Sequence, residues 1–260
     1  VETNQPIIRF VILYEHPLNE RVRTYLRLEH LLLRFETLTS RSDPVDHHFA
    51  FVTLFEIAEA GGRSDLKSEM FKELDRYKSQ FQSYRGNPSV SEDVLNAVLD
   101  EINTCYQGLN VQGSRISNCI SDNEWLSALR NRASIPGGTC SFDLPAYHHW
   151  QHSSVSDRQK NIARWAEPIR SLHAVINLLL RLMRKGGSPQ RVMTQNGQYQ
   201  QNLPQGRFQL MRVFMDPSAG LIPEISGNRM MAWVRLMRLD DDGHLQHVKE
   251  DTSFEMELCG

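Results

Sequence analysis

No charge of one sign dominates this 260-residue chain, whose formal net charge is −2 at neutral pH. No bulk field therefore draws the molecule to nucleic acid or to a membrane surface, and electrostatic recognition has to come from a local patch. Cysteine is scarce: four residues, at 105, 119, 140 and 259. None forms a C-x-x-C pair, and the spacings match neither a zinc module nor a disulfide framework, so free thiols in a reducing cytoplasm are expected. Long apolar runs are missing as well. "IIRFVILY" at 7–14 is the longest early one, and Arg9 splits it. A bilayer span needs roughly 20 apolar residues, and a secretory signal needs a basic start, a longer apolar centre and a small-residue cleavage site. A cytoplasmic protein without a membrane segment is the expectation. The sequence also holds no Gly-rich phosphate loop, no G-x-S-x-G, no paired acid motif, no internal repeat and no low-complexity tract.

What is present is an ordinary globular composition, 40% hydrophobic and 23% charged, in a chain that can hold one large domain or two unequal ones. From Pro17 onward the periodicity is mostly helical. In "HPLNERVRTYLRLEHLLLRFETL", Val22, Tyr25, Leu26, Leu32 and Leu33 build one broad apolar face, with Pro17 expected in the first helical turn. Ser89 with Glu92 and Ser121 with Glu124 have the spacing of capping boxes. Gly86 and Pro88 stop one helix, and Ile169, Leu172, Ile176, Leu179 and Met183 predict another packed against its neighbours. "RKGGSPQ" at 184–190 breaks this pattern. After it the period becomes two: "TSFEMELC" alternates Phe254, Met256 and Leu258 with polar residues, and "RFQLMRVFM" and "MMAWVRLMRL" also read as strands. The expected class is α+β, a mainly helical domain at 1–187 followed by a small antiparallel β domain at 188–260. Residues 7–14, β-branched, are a candidate strand joining that sheet.

One stretch raises the question of chemistry. "SIPGGTCSFDLPAYHHWQH" at 134–152 sets Cys140 ahead of His148, His149 and His152. A nucleophilic cysteine needs a histidine within hydrogen-bond reach and a third group to orient it. His148 and His152 share a helix face and could hold a metal, but no glutamate of an H-E-x-x-H lies between them and Asp143 is the sole nearby carboxylate. The structural reading has "IPGG" as a tight turn, Asp143 capping a helix with Pro145 in its first turn, and Trp150 packed inward. Thiol, metal and structural readings stand side by side, with spacing favouring the structural one. No catalytic residue, metal or cofactor is assigned.

"LYEHPLNERVRTYLRLEHL" at 13–31 and "SIPGGTCSFDLPAYHHW" at 134–150, with "KELDR" at 72–76 and "PEISGN" at 223–228 in the same order, closely resemble the ZapD family of Z-ring-associated cell division proteins. The resemblance covers nearly the whole chain. It implies a non-enzymatic dimer with a helical and a β-strand domain that binds the C-terminal tail of the tubulin-like FtsZ and bundles its filaments. It also implies a cytoplasmic protein recruited to the division site, and a grip made by basic residues. Carried over by position, these are Arg27 in "YLRLEH", Arg63 in "GGRSDL", His148 in "AYHHW" and Arg235 in "WVRLM", with Arg130 and Arg132 added on position alone. Met231 and Glu124 depart from basic positions of some relatives.

The residues themselves offer three basic concentrations. Arg23, Arg27, His30 and Arg34 form one helical stripe, with Glu20 and Glu29 at hand to neutralise it. The segment 158–185 carries Arg158, Lys160, Arg164, Arg170, Arg181, Arg184 and Lys185 against Glu167 alone, and Arg229, Arg235 and Arg238 follow in the sheet. An alternative reading uses the basic helix at 158–185 to bind nucleic acid, although no recognition motif supports it. With the resemblance, no nucleic-acid partner and no membrane partner are expected.

Overall fold

The computed structural model describes residues 11–112, 115–204 and 206–260. They form two compact units. Thr24–Leu180 is one; the described residues up to Arg23 together with Arg181–Gly260 are the other.

The first unit is helical. It contains most of α1 (Glu20–Ser40), then α2 (Pro44–Gly61), α3 (Ser64–Gln82), α4 (Glu92–Gln112), the short α5 (Arg115–Asn118), α6 (Glu124–Ala133), α7 (Pro145–Gln151), α8 (Val155–Trp165) and most of α9 (Arg170–Lys185). The expected face of α1 is only partly inside: Leu33 is exposed and Leu26 half-buried, while Val22, Tyr25 and Leu32 are buried. Along the run into α9, Ile169, Leu172, Ile176, Leu179 and Met183 are all buried. Each such side chain contributes roughly 1.5–3 kcal/mol on leaving water.

The caps differ from the spacing-based expectation, each for a local reason. Pro17 ends a strand, and α1 is capped by Asn19, whose side chain accepts from the Val22 N–H at 3.0 Å. Neither serine box forms. The Glu92 carboxylate accepts from the Gly86 N–H at 2.9 Å, and α6 is capped by Asn123 accepting from Leu126 at 3.1 Å. In both α1 and α6 an asparagine two residues further along the chain is the cap, because the cap must sit directly before the first free N–H groups.

The second unit holds two four-stranded antiparallel sheets rather than one. Sheet A has the order β1-β4-β8-β2, from β1 (Ile12–Pro17), β4 (Leu210–Met215), β8 (Ser253–Cys259) and β2 (Pro189–Met193). Sheet B runs β3 (Gln198–Asn202), β6 (Met231–Leu239), β5 (Ile222–Gly227), with β7 (Leu245–His247) also paired to β6. Their inner faces share one core, with Met211, Val213, Phe254 and Met256 from sheet A against Ala232, Val234 and Leu236 from sheet B. That is sandwich packing. The alternation in β4, β6 and β8 points alternate side chains inward, as the sequence pattern requires.

The sequence boundary at 187/188 is not where the units part. β1 pairs along its length with β4, from Ile12 opposite Met215 to Pro17 opposite Leu210. Arg21 donates to the Gln209 side chain at 2.5 Å. On the outer face of sheet A, Glu15 accepts from Arg184 at 2.5 Å and from Arg212 at 3.1 Å, and Arg212 also reaches Glu257 at 2.5 Å. This chain of charges ties the last turn of α9 to the sheet. Of the candidate strand at 7–14, residues 7–10 lie outside the described residues, and the strand itself runs from Ile12 to Pro17.

Candidate functional site

The 134–152 stretch is held by its backbone. Gly137 adopts the left-handed conformation (φ +68°), and the Gly138 N–H returns to the Ile135 carbonyl at 2.9 Å, closing the "IPGG" turn. α7 then starts with Pro145 in its first turn, but its cap residue is Leu144, without a side-chain cap bond. Asp143 is engaged elsewhere. It accepts from the Cys140 thiol at 3.4 Å and pairs with Arg132 at 3.5 Å, which draws the carboxylate away from the helix end.

α7 turns Tyr147 and Trp150 inward, where they meet Phe51 of α2, Trp125 of α6 and Trp165 of α8. The Trp125 and Trp165 rings stack at 4.6 Å, Phe51 lies 5.1 Å from Trp150, and Tyr147 stacks on Trp150 at 5.9 Å. Their polar tips are satisfied: the Trp150 indole donates to Asn161 at 3.0 Å, and the Tyr147 hydroxyl meets His48 at 2.8 Å. Burial pushes the Tyr147 hydroxyl pKa up and the His48 pKa down, both away from charge at neutral pH. Three tryptophans thus cross-link four helices, and the motif that looks like chemistry is first of all an anchor.

Cys140 finds an aspartate, not a histidine. His148 and His152 are exposed and lie ring to ring at 4.5 Å, with His152 Nδ1 at 2.8 Å from the His148 carbonyl oxygen. Among the described residues, no three His, Cys, Asp or Glu side chains gather as a metal site.

The basic candidates separate into paired and unpaired groups. On α1, Arg23 pairs with Glu20 at 3.1 Å, and Arg34 with Glu56 at 2.5 Å and Thr53 at 2.9 Å. Arg27 and His30, between them, are exposed, and no described carboxylate forms an ion pair with either. Arg63 precedes α3 and is held by Asp65 at 2.7 Å. Arg130 is exposed on α6 without a described ion-pair partner, two residues from Arg132 and its Asp143. That ion pair joins α6 to the loop before α7.

In the sheet unit, Arg229 is exposed in the turn between β5 and β6, also without a described ion-pair partner. Arg235 stands on the outer face of sheet B and pairs with Glu224 across the strands at 3.3 Å. It lines a groove of about 930 Å³ with Tyr199, Gln200, Ser226 and the half-exposed Trp233. Trp233 was not singled out by charge-based reading. Its place two residues before Arg235 in a period-two strand puts it on the same face, and that spacing is the signal that finds it.

The segment 158–185 is not one helix. α8 ends at Trp165, and a 3₁₀ turn (Glu167–Ile169) separates it from α9. Arg158 is buried. Its Nε donates to His47 Nδ1 at 3.0 Å, Nη2 to the Ser42 carbonyl at 2.6 Å, and Nη1 to the Gln151 carbonyl at 3.2 Å and to that of Ser153. Arg184 is committed to Glu15. A stripe that loses both its first and a late guanidinium to internal contacts is not the continuous basic helix of the nucleic-acid alternative.

Residues 26–235 match the family described as "ZapD: Cell division protein". Among curated relatives, the cell division protein ZapD of Ralstonia pickettii is 44% identical over 250 residues, covering 96% of this chain and 99% of that protein. ZapD of Ralstonia nicotianae is likewise 44% identical and that of Cupriavidus metallidurans 43%, over the same shares. Of the blocks that carry the resemblance in the sequence, "SIPGG" through Trp150 supplies Tyr147 and Trp150 to the aromatic anchor. On the family match and these full-length relatives, the chain belongs to the ZapD family of cell division proteins.

Proposed function

We propose that this protein is a non-enzymatic division factor which, as a homodimer in the cytoplasm, binds the C-terminal tail of FtsZ and cross-links FtsZ filaments at the division site. The observation that carries the reading is the set of exposed arginines, Arg27, Arg130 and Arg229, that no described carboxylate neutralises. An unpaired guanidinium on the surface is free to take a peptide carboxylate in a two-point contact. Arg63, Arg132, His148 and Arg235 are the further candidates, with intramolecular partners at Arg63, Arg132 and Arg235 that a tail would have to displace. Among the described residues no helix is long and apolar enough to cross a membrane, which is compatible with this setting.

The mechanism follows from valence. A monomer with one tail site decorates a filament, whereas a two-fold dimer presents two sites and bridges two filaments. Many tails along each polymer raise the effective concentration for the next contact, so each contact can be weak. A tail that is disordered when free loses entropy on binding, which keeps the single-contact affinity modest.

Low-speed pelleting of GTP-assembled FtsZ tests the reading. The protein is expected to pellet full-length FtsZ, not FtsZ lacking its tail, and to do so less as salt shortens the screening length, roughly 8 Å at physiological ionic strength. Arg27→Ala is expected to weaken tail-peptide binding about tenfold while light scattering still reports a dimer. Equal pelleting of tail-less FtsZ would sink the proposal.

A further inference from the structure

The last turns of α1 and the α8 helix each turn one face to a common cleft. Leu32, Phe35, Glu36 and Thr39 stand at i, i+3, i+4 and i+7 on α1, and Gln159, Ile162, Ala163 and Ala166 repeat that spacing along α8 and its cap. The two faces do not close on each other. Alanines at 163 and 166 leave the α8 side short, and the 3₁₀ turn at Glu167–Ile169 carries the chain away into α9. What remains is a space of about 400 Å³ within the helical unit. Its floor is apolar: Leu32, Phe35, Ile162, Ala166 and Ile169 line it, and all five are buried.

Polar contacts brace the walls. Gln159 Nε2 donates to the Thr39 carbonyl at 3.1 Å, fastening α8 to the end of α1, and His173 Nδ1 lies 3.2 Å from Glu36 Oε1, fastening α9 to the same helix. A preformed apolar cleft with a few polar groups at its lip has the make-up of a small-ligand site, and such sites span roughly 300–1,000 Å³. The lip also sets the charge. Glu36, the lining carboxylate, is engaged by His173. Arg170, the lining arginine at the start of α9, is exposed, and no described carboxylate forms an ion pair with it. A guanidinium beside an apolar trough complements a molecule with an apolar body and a carboxylate head, which the planar fork takes in a two-point contact.

We infer that the cleft between α1, α8 and α9 binds a small amphiphilic monocarboxylate, with its apolar body against Phe35 and Ile162 and its carboxylate on Arg170. The site shares no residue with the basic grip, so it stands or falls separately from the tail-binding reading.

Isothermal titration calorimetry of the full chain with straight-chain alkanoates tests it. Octanoate is expected to bind saturably, one per chain, and roughly tenfold more tightly than hexanoate, because two more methylenes leave water. The gain from dodecanoate to tetradecanoate should fall below about threefold, since the cleft is then full. Arg170→Ala should weaken octanoate about tenfold and leave octanol unchanged, and Arg170→Lys should recover part of the loss. Ala163→Trp, which sets a bulky ring at the exposed lip, should weaken octanoate and octanol alike, by about tenfold or more. Melting temperatures of the three variants should match the wild type; if Ala163→Trp unfolds, Arg170→Ala and the chain-length series decide alone. Octanoate that does not saturate, or that binds either the alanine or the tryptophan variant as it binds wild type, refutes the inference. Displacement of bound octanoate by an FtsZ C-terminal tail peptide would also overturn it, because the cleft would then belong to the peptide.

Discussion

Replacing Arg158 by methionine is expected to destabilise the helical unit by about 3–5 kcal/mol, which should lower the melting temperature by roughly 10 °C in a chain of this size. The reason is the number of groups left behind. The guanidinium is buried and serves three backbone carbonyls, of Ser42, Gln151 and Ser153, together with the His47 ring. It fastens the α1–α2 connection to the α7–α8 connection, so its loss orphans acceptors in two segments at once. Methionine fills the volume and satisfies none of them. Lysine keeps the charge, but a single ammonium cannot imitate a planar fork aimed at several acceptors, so Arg158→Lys should recover less than half of the loss. Circular dichroism melts of the three proteins decide it; a methionine variant within 2 °C of wild type, about 1 kcal/mol or less, would refute the account.

The same contact sets a pH dependence. Because Arg158 Nε donates to His47 Nδ1, the ring proton sits on Nε2, which donates to the Arg41 carbonyl at 2.8 Å. The ring is held neutral: burial lowers its pKa below the usual 6.5, with Arg158 adding to the effect while the Arg41 bond, Asp46 and Asp43 oppose it. A histidine whose folded pKa is depressed takes up its proton in the unfolded chain first. Its contribution is therefore present above the unfolded value of 6.5 and falls away as pH drops below it. The acid-induced loss of stability in that range should shrink in Arg158→Met, where no guanidinium opposes the second ring proton.

Gly197→Ala is the second change expected to be large, about 3 kcal/mol or more, through overpacking and backbone strain together. Asn196 and Gly197 both have positive φ, +51° and +70°, and form the two-residue turn inside the connection from β2 to β3, with Gln195 and Gln198 exchanging backbone bonds across it at 2.7 and 3.0 Å. This is the asparagine–glycine hairpin turn. An added methyl group would overlap the Val248 carbonyl, which lies against the turn, while the Gly197 carbonyl accepts from the Leu236 N–H at 2.9 Å. The turn cannot tilt to relieve the clash without losing that bond. Denaturant unfolding followed by far-ultraviolet circular dichroism would report it, and an alanine variant with an unchanged midpoint would show that the turn tolerates a side chain.

The elements that could be read from sequence are those with a single strong period. α9 and strands β4, β6 and β8 carry their burial in their spacing, because each has one apolar face and one solvated face. The strands that escaped are short and polar or contain proline. β3 is "QYQQN", and β5 carries Pro223 inside a stretch that reads as turns. Both lie at the edges of sheet B, where a strand needs no continuous apolar face and proline removes no ladder bond on its open side. The second sheet was invisible for that reason. At the candidate site, sequence supplied the charged residues but not their pairing. Nothing in the spacing of Arg158 or Arg34 tells that one is buried on carbonyl oxygens and the other held by Glu56, because both partners come from remote segments.

The chain order of the sheet unit constrains how the protein is made. β1 emerges from the ribosome early, but its neighbour in the sheet begins at Leu210, with the helical unit encoded between them. At roughly 5–20 residues per second, translation leaves β1 waiting on the order of ten seconds or more for a partner. Sheet A then still lacks its second interior strand, since β8 lies between β4 and β2 and follows both in the chain. A nascent chain stopped short of Ser253 therefore leaves β2 unpaired and one edge of the β1–β4 pair open, a state exposed to proteases and chaperones. The helical unit faces no such delay, as all of its helices are contiguous in the message. Translation thus completes the helical unit first and makes the sheet a late checkpoint, passed only when β8 has been added.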